Sequence, residues 1–107
     1  NIWATWCPPC IAEMPSFQRL YNEFEGNKEL VFLFVANDEP GKVKNFLKKN
    51  GYELPVYFSV GQVPAELSSG SLPTTYILNR QGQIVVNKVG ALDWSSSKIK
   101  ALIEGLI

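Results

Sequence analysis

The sequence predicts an α/β domain in which a central mixed sheet is flanked by helices. Three observations lead there. Apolar runs of strand length alternate with stretches whose apolar residues recur at threes and fours. The order they trace is βαβα, a variable segment, then ββα, the order of a layered sheet with helices on its faces. A hairpin signal, Asn79-Arg80-Gln81-Gly82, separates the last two strand-like runs and makes the sheet mixed rather than purely parallel. At 107 residues the chain suffices for one domain, residues 1–107, around one core.

The elements follow in order. Asn1-Ile2-Trp3-Ala4 reads as the end of a buried strand, with the first strand or strands missing at the N-terminus. A signal peptide, anchor or earlier domain upstream is therefore left open. A helix is expected to begin at Pro8 and Pro9, because a first helical turn has no use for their absent amides. Its core stripe is Ile11, Met14, Phe17, Leu20, Tyr21 and Phe24. Pro15 kinks it without ending it, and Gly26 and Asn27 stop it. Leu30 to Ala36 is apolar throughout, as a central strand buried on both faces would be. After a loop at Asp38-Glu39-Pro40-Gly41, a second helix turns Val43, Phe46 and Leu47 inward and its lysines outward, and closes at Gly51.

Val56-Tyr57-Phe58 is a short strand, and Ala65 to Leu67 a short helical turn, within a segment of about residues 52–71. Residues 74–78 and 83–89 are the hairpin strands. A last helix starts near Ser95 as its cap, with Ile99, Leu102, Ile103 and Leu106 on its apolar stripe.

Composition narrows the function. Ten basic residues balance ten acidic ones, so no net field favours nucleic acid or an anionic membrane. No run approaches the roughly 20 apolar residues of a spanning helix. The lysines of the second helix read as a solvated face. The chain has no histidine, which removes Ser-His and Cys-His nucleophiles and histidine-bearing metal sites. Two cysteines alone do not complete a four-ligand zinc site, and carboxylates or a second chain would have to supply the rest.

Those two cysteines, Cys7 and Cys10, carry the chemistry. A bridge between them closes almost no loop and so contributes little stability, which points to redox use. They sit where a strand hands over to a helix, and the helix amides there favour a thiolate. Cys7, ahead of the helix, is expected to be the more exposed sulfur and the nucleophile. Cys10, one turn inside, resolves the mixed disulfide.

The stretch Trp3-Ala4-Thr5-Trp6-Cys7-Pro8-Pro9-Cys10 resembles the active site of the thioredoxin superfamily. Pro15 lies where that family's kinking helix proline lies. Leu72-Pro73-Thr74 resembles the loop whose proline is cis and faces the cysteines. Lys88-Val89-Gly90-Ala91-Leu92 resembles the segment after the last strand. Together these matches cover essentially the whole chain, and in combination they are far more specific than a Cys-x-x-Cys alone. The dipeptide Pro-Pro, the run Cys10-Ile11-Ala12-Glu13-Met14-Pro15 and the segment at 52–71 are most similar to the TlpA/ResA-like branch.

That resemblance implies a thioredoxin fold and a thiol-disulfide oxidoreductase with no cofactor beyond the redox-active Cys7–Cys10 disulfide, and no metal. It implies a reductant in the bacterial periplasm or cell envelope, tethered to the membrane only through a missing N-terminal anchor. Its partners would be protein thiols and disulfides, apocytochrome c or other envelope proteins, with a membrane electron donor upstream. Where thioredoxins carry a buried aspartate this chain has Asn1, which does not titrate. Glu13 is then the nearest candidate to take the proton of Cys10; the alternative is a solvated glutamate on a polar helix face. The resemblance also implies a substrate groove at Trp6, Leu72, Pro73 and Gly90. The alternatives are that Pro73 simply begins a strand and that Gly90 simply serves a turn. Trp3 and Trp94 are read as packing. Two other functions compete: a non-catalytic binding or folding module on this fold, and a thiolate metal-binding domain.

Overall fold

The computed structural model describes all 107 residues. Five strands form one sheet in the order β3-β2-β1-β4-β5, where β1 is Ile2–Trp3, β2 Phe34–Ala36, β3 Val56–Phe58, β4 Thr74–Leu78 and β5 Ile84–Val89. β1, β2 and β3 run parallel, joined through helices α1 (Pro8–Phe24) and α2 (Pro40–Asn50). β4 lies antiparallel to β1 and β5 to β4, and helix α3 (Ser97–Leu106) ends the chain. The mixed sheet and its three helices are those the sequence predicts. No helix is long and apolar enough to cross a membrane.

The core is largely aromatic. Phe17 of α1 lies edge-on to Phe34 of β2, with centroids 5.0 Å apart, and stacks on Trp94, at 5.3 Å, just ahead of α3. Trp3 of β1 meets Phe46 of α2 at 5.6 Å. Buried aromatics of β1, α1 and β2, with the half-buried Phe46 of α2, thus pack in one core that Trp94 joins from the C-terminal end of the chain.

Several local expectations do not hold. Of residues 30–36, only 34–36 form a strand, and Val31 and Leu33 are exposed. A strand needs a ladder partner, and on the β3 side the ladder begins only at Phe34, opposite Val56, because Pro55 before it has no N–H to offer. Ile11, expected on the core stripe of α1, is 38% exposed. It stands in the first turn, beyond the sheet surface that covers Met14, Phe17 and Leu20. Leu102 of α3 is likewise exposed, because Ile99 and Ile103 alone reach the core. α2 already begins at Pro40, inside the expected loop, since proline at the first helical position fits a helix start. The cap of α3 is Ser96, whose hydroxyl accepts from Ile99 N, while Ser95 is engaged by Asp93. One expectation at Pro15 does hold: it does not end α1, which runs on to Phe24.

Phe17→Ala should lower the unfolding free energy by about 3–4 kcal/mol, because it opens a cavity against two aromatic partners. Val85→Thr, on the exposed strand β5, should change it by less than about 0.5 kcal/mol. Urea denaturation of the two variants checks the contrast.

Candidate active site

Strand β1 ends at Trp3, and four residues later Cys7 forms the N-cap of α1 in extended conformation, φ −108° and ψ 104°. Pro8 and Pro9 fill the first two helical positions and bring no N–H. The first amide the helix offers is that of Cys10, and it donates to Cys7 Sγ at 3.3 Å. The two prolines thereby leave the sulfur a single, undivided donor at the positive end of the helix. Cys7 and Cys10 are joined in a disulfide with Cα atoms 5.2 Å apart. Cys7 is 4% exposed and Cys10 0%, so Cys7 alone offers surface to an attacking or accepting thiol. Trp6, next to it, is 63% exposed.

Asp38, after β2, ties down the approach to the cysteines. Its Oδ2 accepts the Thr5 amide at 3.0 Å and the Thr5 hydroxyl, and its Oδ1 accepts Glu39 N at 2.8 Å. The Thr5 hydrogen bond holds its carboxyl below the usual 3.8. The sequence reading missed this clasp: the two residues are far apart in the chain, and nothing local marks a threonine whose backbone needs an acceptor.

Glu13 is not the solvated residue that one reading allowed. It is 2% exposed, and each carboxylate oxygen has a donor: Asn1 Nδ2 on Oε1 at 2.9 Å and Trp94 Nε1 on Oε2 at 2.8 Å. Asn1 also donates to Thr75 Oγ1 at 2.9 Å. Burial pushes the carboxyl above its ordinary 4.5, opposed by the hydrogen bonds from Trp94 and Asn1. Ser16, one turn on, donates to Glu13 O at 2.8 Å and accepts Trp94 N at 3.0 Å. A shallow cleft lined by Ala12, Ser16, Arg19, Leu92 and Asp93 opens beside Glu13. Asn1 thus stands beside the carboxylate instead of supplying one. Trp94, read as packing, is also a donor; a buried indole N–H generally needs an acceptor, and that was the signal available.

The Leu72–Pro73 bond is cis, as expected. Pro73 O accepts Gly90 N at 2.9 Å, which joins the loop before β4 to the turn after β5. None of the loop hydrogen bonds engages the main chain of Leu72. Gly90 has φ +94°, so its turn requires glycine, although a Cβ there would meet nothing within 4 Å. Cys7, Cys10 and Glu13 thus share one helix, while Leu72, Pro73 and Gly90 share a second pair of loops bonded to each other.

Two outcomes follow from this geometry. Gly90→Ala should cost about 1 kcal/mol, from backbone conformation alone, read as a fall of about 5 °C in Tm. Glu13 binds its proton more tightly folded than unfolded, so between pH 4.5 and its raised folded value the native state carries more protons than the unfolded chain. Its contribution to stability therefore grows as pH falls through that window and is lost as pH rises through the folded value. Denaturation of wild type against Glu13→Gln from pH 7 to pH 4.5 should show wild type gaining relative to the variant.

Residues 1–103 match the Redoxin family. Among curated proteins the chain is 32% identical over 96 residues to sporulation thiol-disulfide oxidoreductase A of Bacillus subtilis, covering 86% of this chain and 58% of that one. It is 32% identical over 91 residues to thiol-disulfide oxidoreductase ResA of Bacillus thuringiensis, covering 84% and 53%. The chain spans just over half the length of these relatives. Among solved structures, StoA of Bacillus subtilis superposes with a TM-score of 0.69 at 26% identity, over 96% of this chain and 76% of that one. The dithiol at the head of α1, the cis proline loop and the sheet order are therefore a thioredoxin-like architecture, and the chain belongs to the redoxin family.

Proposed function

We propose that this chain is a thiol-disulfide oxidoreductase that passes two electrons between its Cys7–Cys10 pair and cysteines of partner proteins. The observation that carries the reading is the Cys7 sulfur at the N-cap of α1, with the Cys10 amide aimed at it and the exposed Trp6 beside it. In the reduced form that amide and the helix end stabilise a Cys7 thiolate. The thiolate attacks one sulfur of a partner disulfide; a mixed disulfide forms and the partner's other sulfur leaves as thiolate. Cys10 gives its proton to Glu13, attacks Cys7 Sγ and re-forms the Cys7–Cys10 bond, and the second partner sulfur departs. The partner disulfide has been reduced and the pair oxidised, with the electrons balanced.

Glu13 lies one turn beyond Cys10 on the same helix, and the cleft beside it gives its proton a way to solvent. The partner's extended backbone lies along Trp6, Leu72, Pro73 and Gly90, in a strand-addition mode that reads little side-chain information. The likeness to ResA and to sporulation oxidoreductase A supports a reductant of the bacterial periplasm or cell envelope. There it would serve protein thiols such as those of apocytochrome c and be re-reduced by a membrane electron donor.

The test uses a disulfide-bonded peptide and mass spectrometry. Reduced Cys10→Ser should accumulate the mixed disulfide on Cys7, and Cys7→Ser should form none. Glu13→Gln should form it at the wild-type rate and resolve it about 10-fold or more slowly at neutral pH. Attack through Cys10 would overturn the assignment of the nucleophile, and unchanged resolution in Glu13→Gln would remove Glu13 from the mechanism.

A further inference from the structure

We propose that Trp94 is a positioning residue of the redox site: its indole N–H, 2.8 Å from Glu13 Oε2, holds that carboxyl group in place between two protein donors. The assignment rests on Glu13 serving the cysteine pair, as proposed above.

The indole is committed to this contact from three sides. Its ring, 1% exposed, stacks on Phe17 with an interplanar angle of 9°. Its main-chain amide is bonded to Ser16 Oγ at 3.0 Å, and Ser16 in turn bonds Glu13 O. Ser16 Oγ also lies 3.5 Å from Leu92 O, so the turn that carries Gly90 to Asp93 is pinned to α1 beside Glu13. Ring, amide and hydroxyl leave the N–H one direction, and Glu13 Oε2 lies along it.

The other groups around the carboxylate do not replace this donor. Asn1 occupies the opposite oxygen. Arg19 lines the cleft, but its guanidinium is engaged by Ser95 Oγ at 3.1 Å and lies 4.0 Å from Asp93, an acidic group on the same rim. The backbone at Leu92 also favours the ionised form. Cys10, in the disulfide, does not titrate. Trp94 is the side chain that donates to Oε2, and a carboxylate at this depth depends on such donors.

The test reads Glu13 directly by ¹³C-carboxyl NMR in the oxidised protein. Trp94→Phe keeps a ring on Phe17 and removes only the N–H. The Glu13 midpoint should then rise by about one pH unit. Phe17→Leu, which disturbs the stack and keeps the donor, should lower Tm and leave the midpoint in place. In wild type the Trp94 indole N–H resonance should titrate with the midpoint of the Glu13 carboxyl, a reading that needs no variant. An unmoved midpoint in Trp94→Phe, or an indole resonance blind to that titration, overturns the assignment. The Glu13→Gln resolution rate separately decides the mechanism: a normal rate there with a shifted midpoint here keeps the Trp94–Glu13 bond and dismisses the proton transfer.

Discussion

A carboxyl group buried to 2% exposure needs hydrogen-bond partners, and Glu13 organises the protein around that requirement. Its two oxygens draw in residue 1, at the head of the first strand, and residue 94, at the approach to the last helix. The helix between them is the one whose N-cap is Cys7. The hydrogen bonds that satisfy one buried carboxyl group therefore also tie the cysteine helix to the head of the sheet and to the approach to α3.

Around this anchor three long-range hydrogen bonds fix loop backbones. Asp38 takes the Thr5 amide, Pro73 O takes the Gly90 amide, and Ser16 takes the Trp94 amide. Each bond joins segments distant in the chain, so the entropy of ordering the loops is offset once, during folding, rather than at each encounter with a partner. Cys7 Sγ accepts the Cys10 amide at the head of α1, Trp6 beside it in the chain is exposed, and none of the loop hydrogen bonds engages the main chain of Leu72.

Much of this was legible because the signals are local. Proline at a helix start, a cysteine one residue ahead of it and the turn residues of the 79–82 hairpin act within a few positions. The cis bond at Pro73 was legible through family likeness, not through its neighbours in sequence. What the sequence did not show depends on partners far along the chain. Residues 30–33 are apolar enough for a strand but have no ladder beside them. Ile11 and Leu102 keep helical spacing but fall where no facing surface arrives. The depth of Glu13 is invisible locally, because a glutamate in the first turns of a helix is usually solvated, and only the convergence of Asn1, Trp94 and Ser16 reveals the site.

The central claim is that the Cys7–Cys10 pair is a reversible two-electron centre set to donate electrons. Equilibration in defined glutathione and dithiothreitol ratios, with trapping of the free thiols and mass spectrometry, tests it most directly. The account predicts a single two-electron transition between dithiol and disulfide, with a potential toward the reducing end of the roughly −270 to −120 mV range of such pairs. A potential near −120 mV would contradict the donor role, and the absence of a reversible bridge would contradict the oxidoreductase reading altogether.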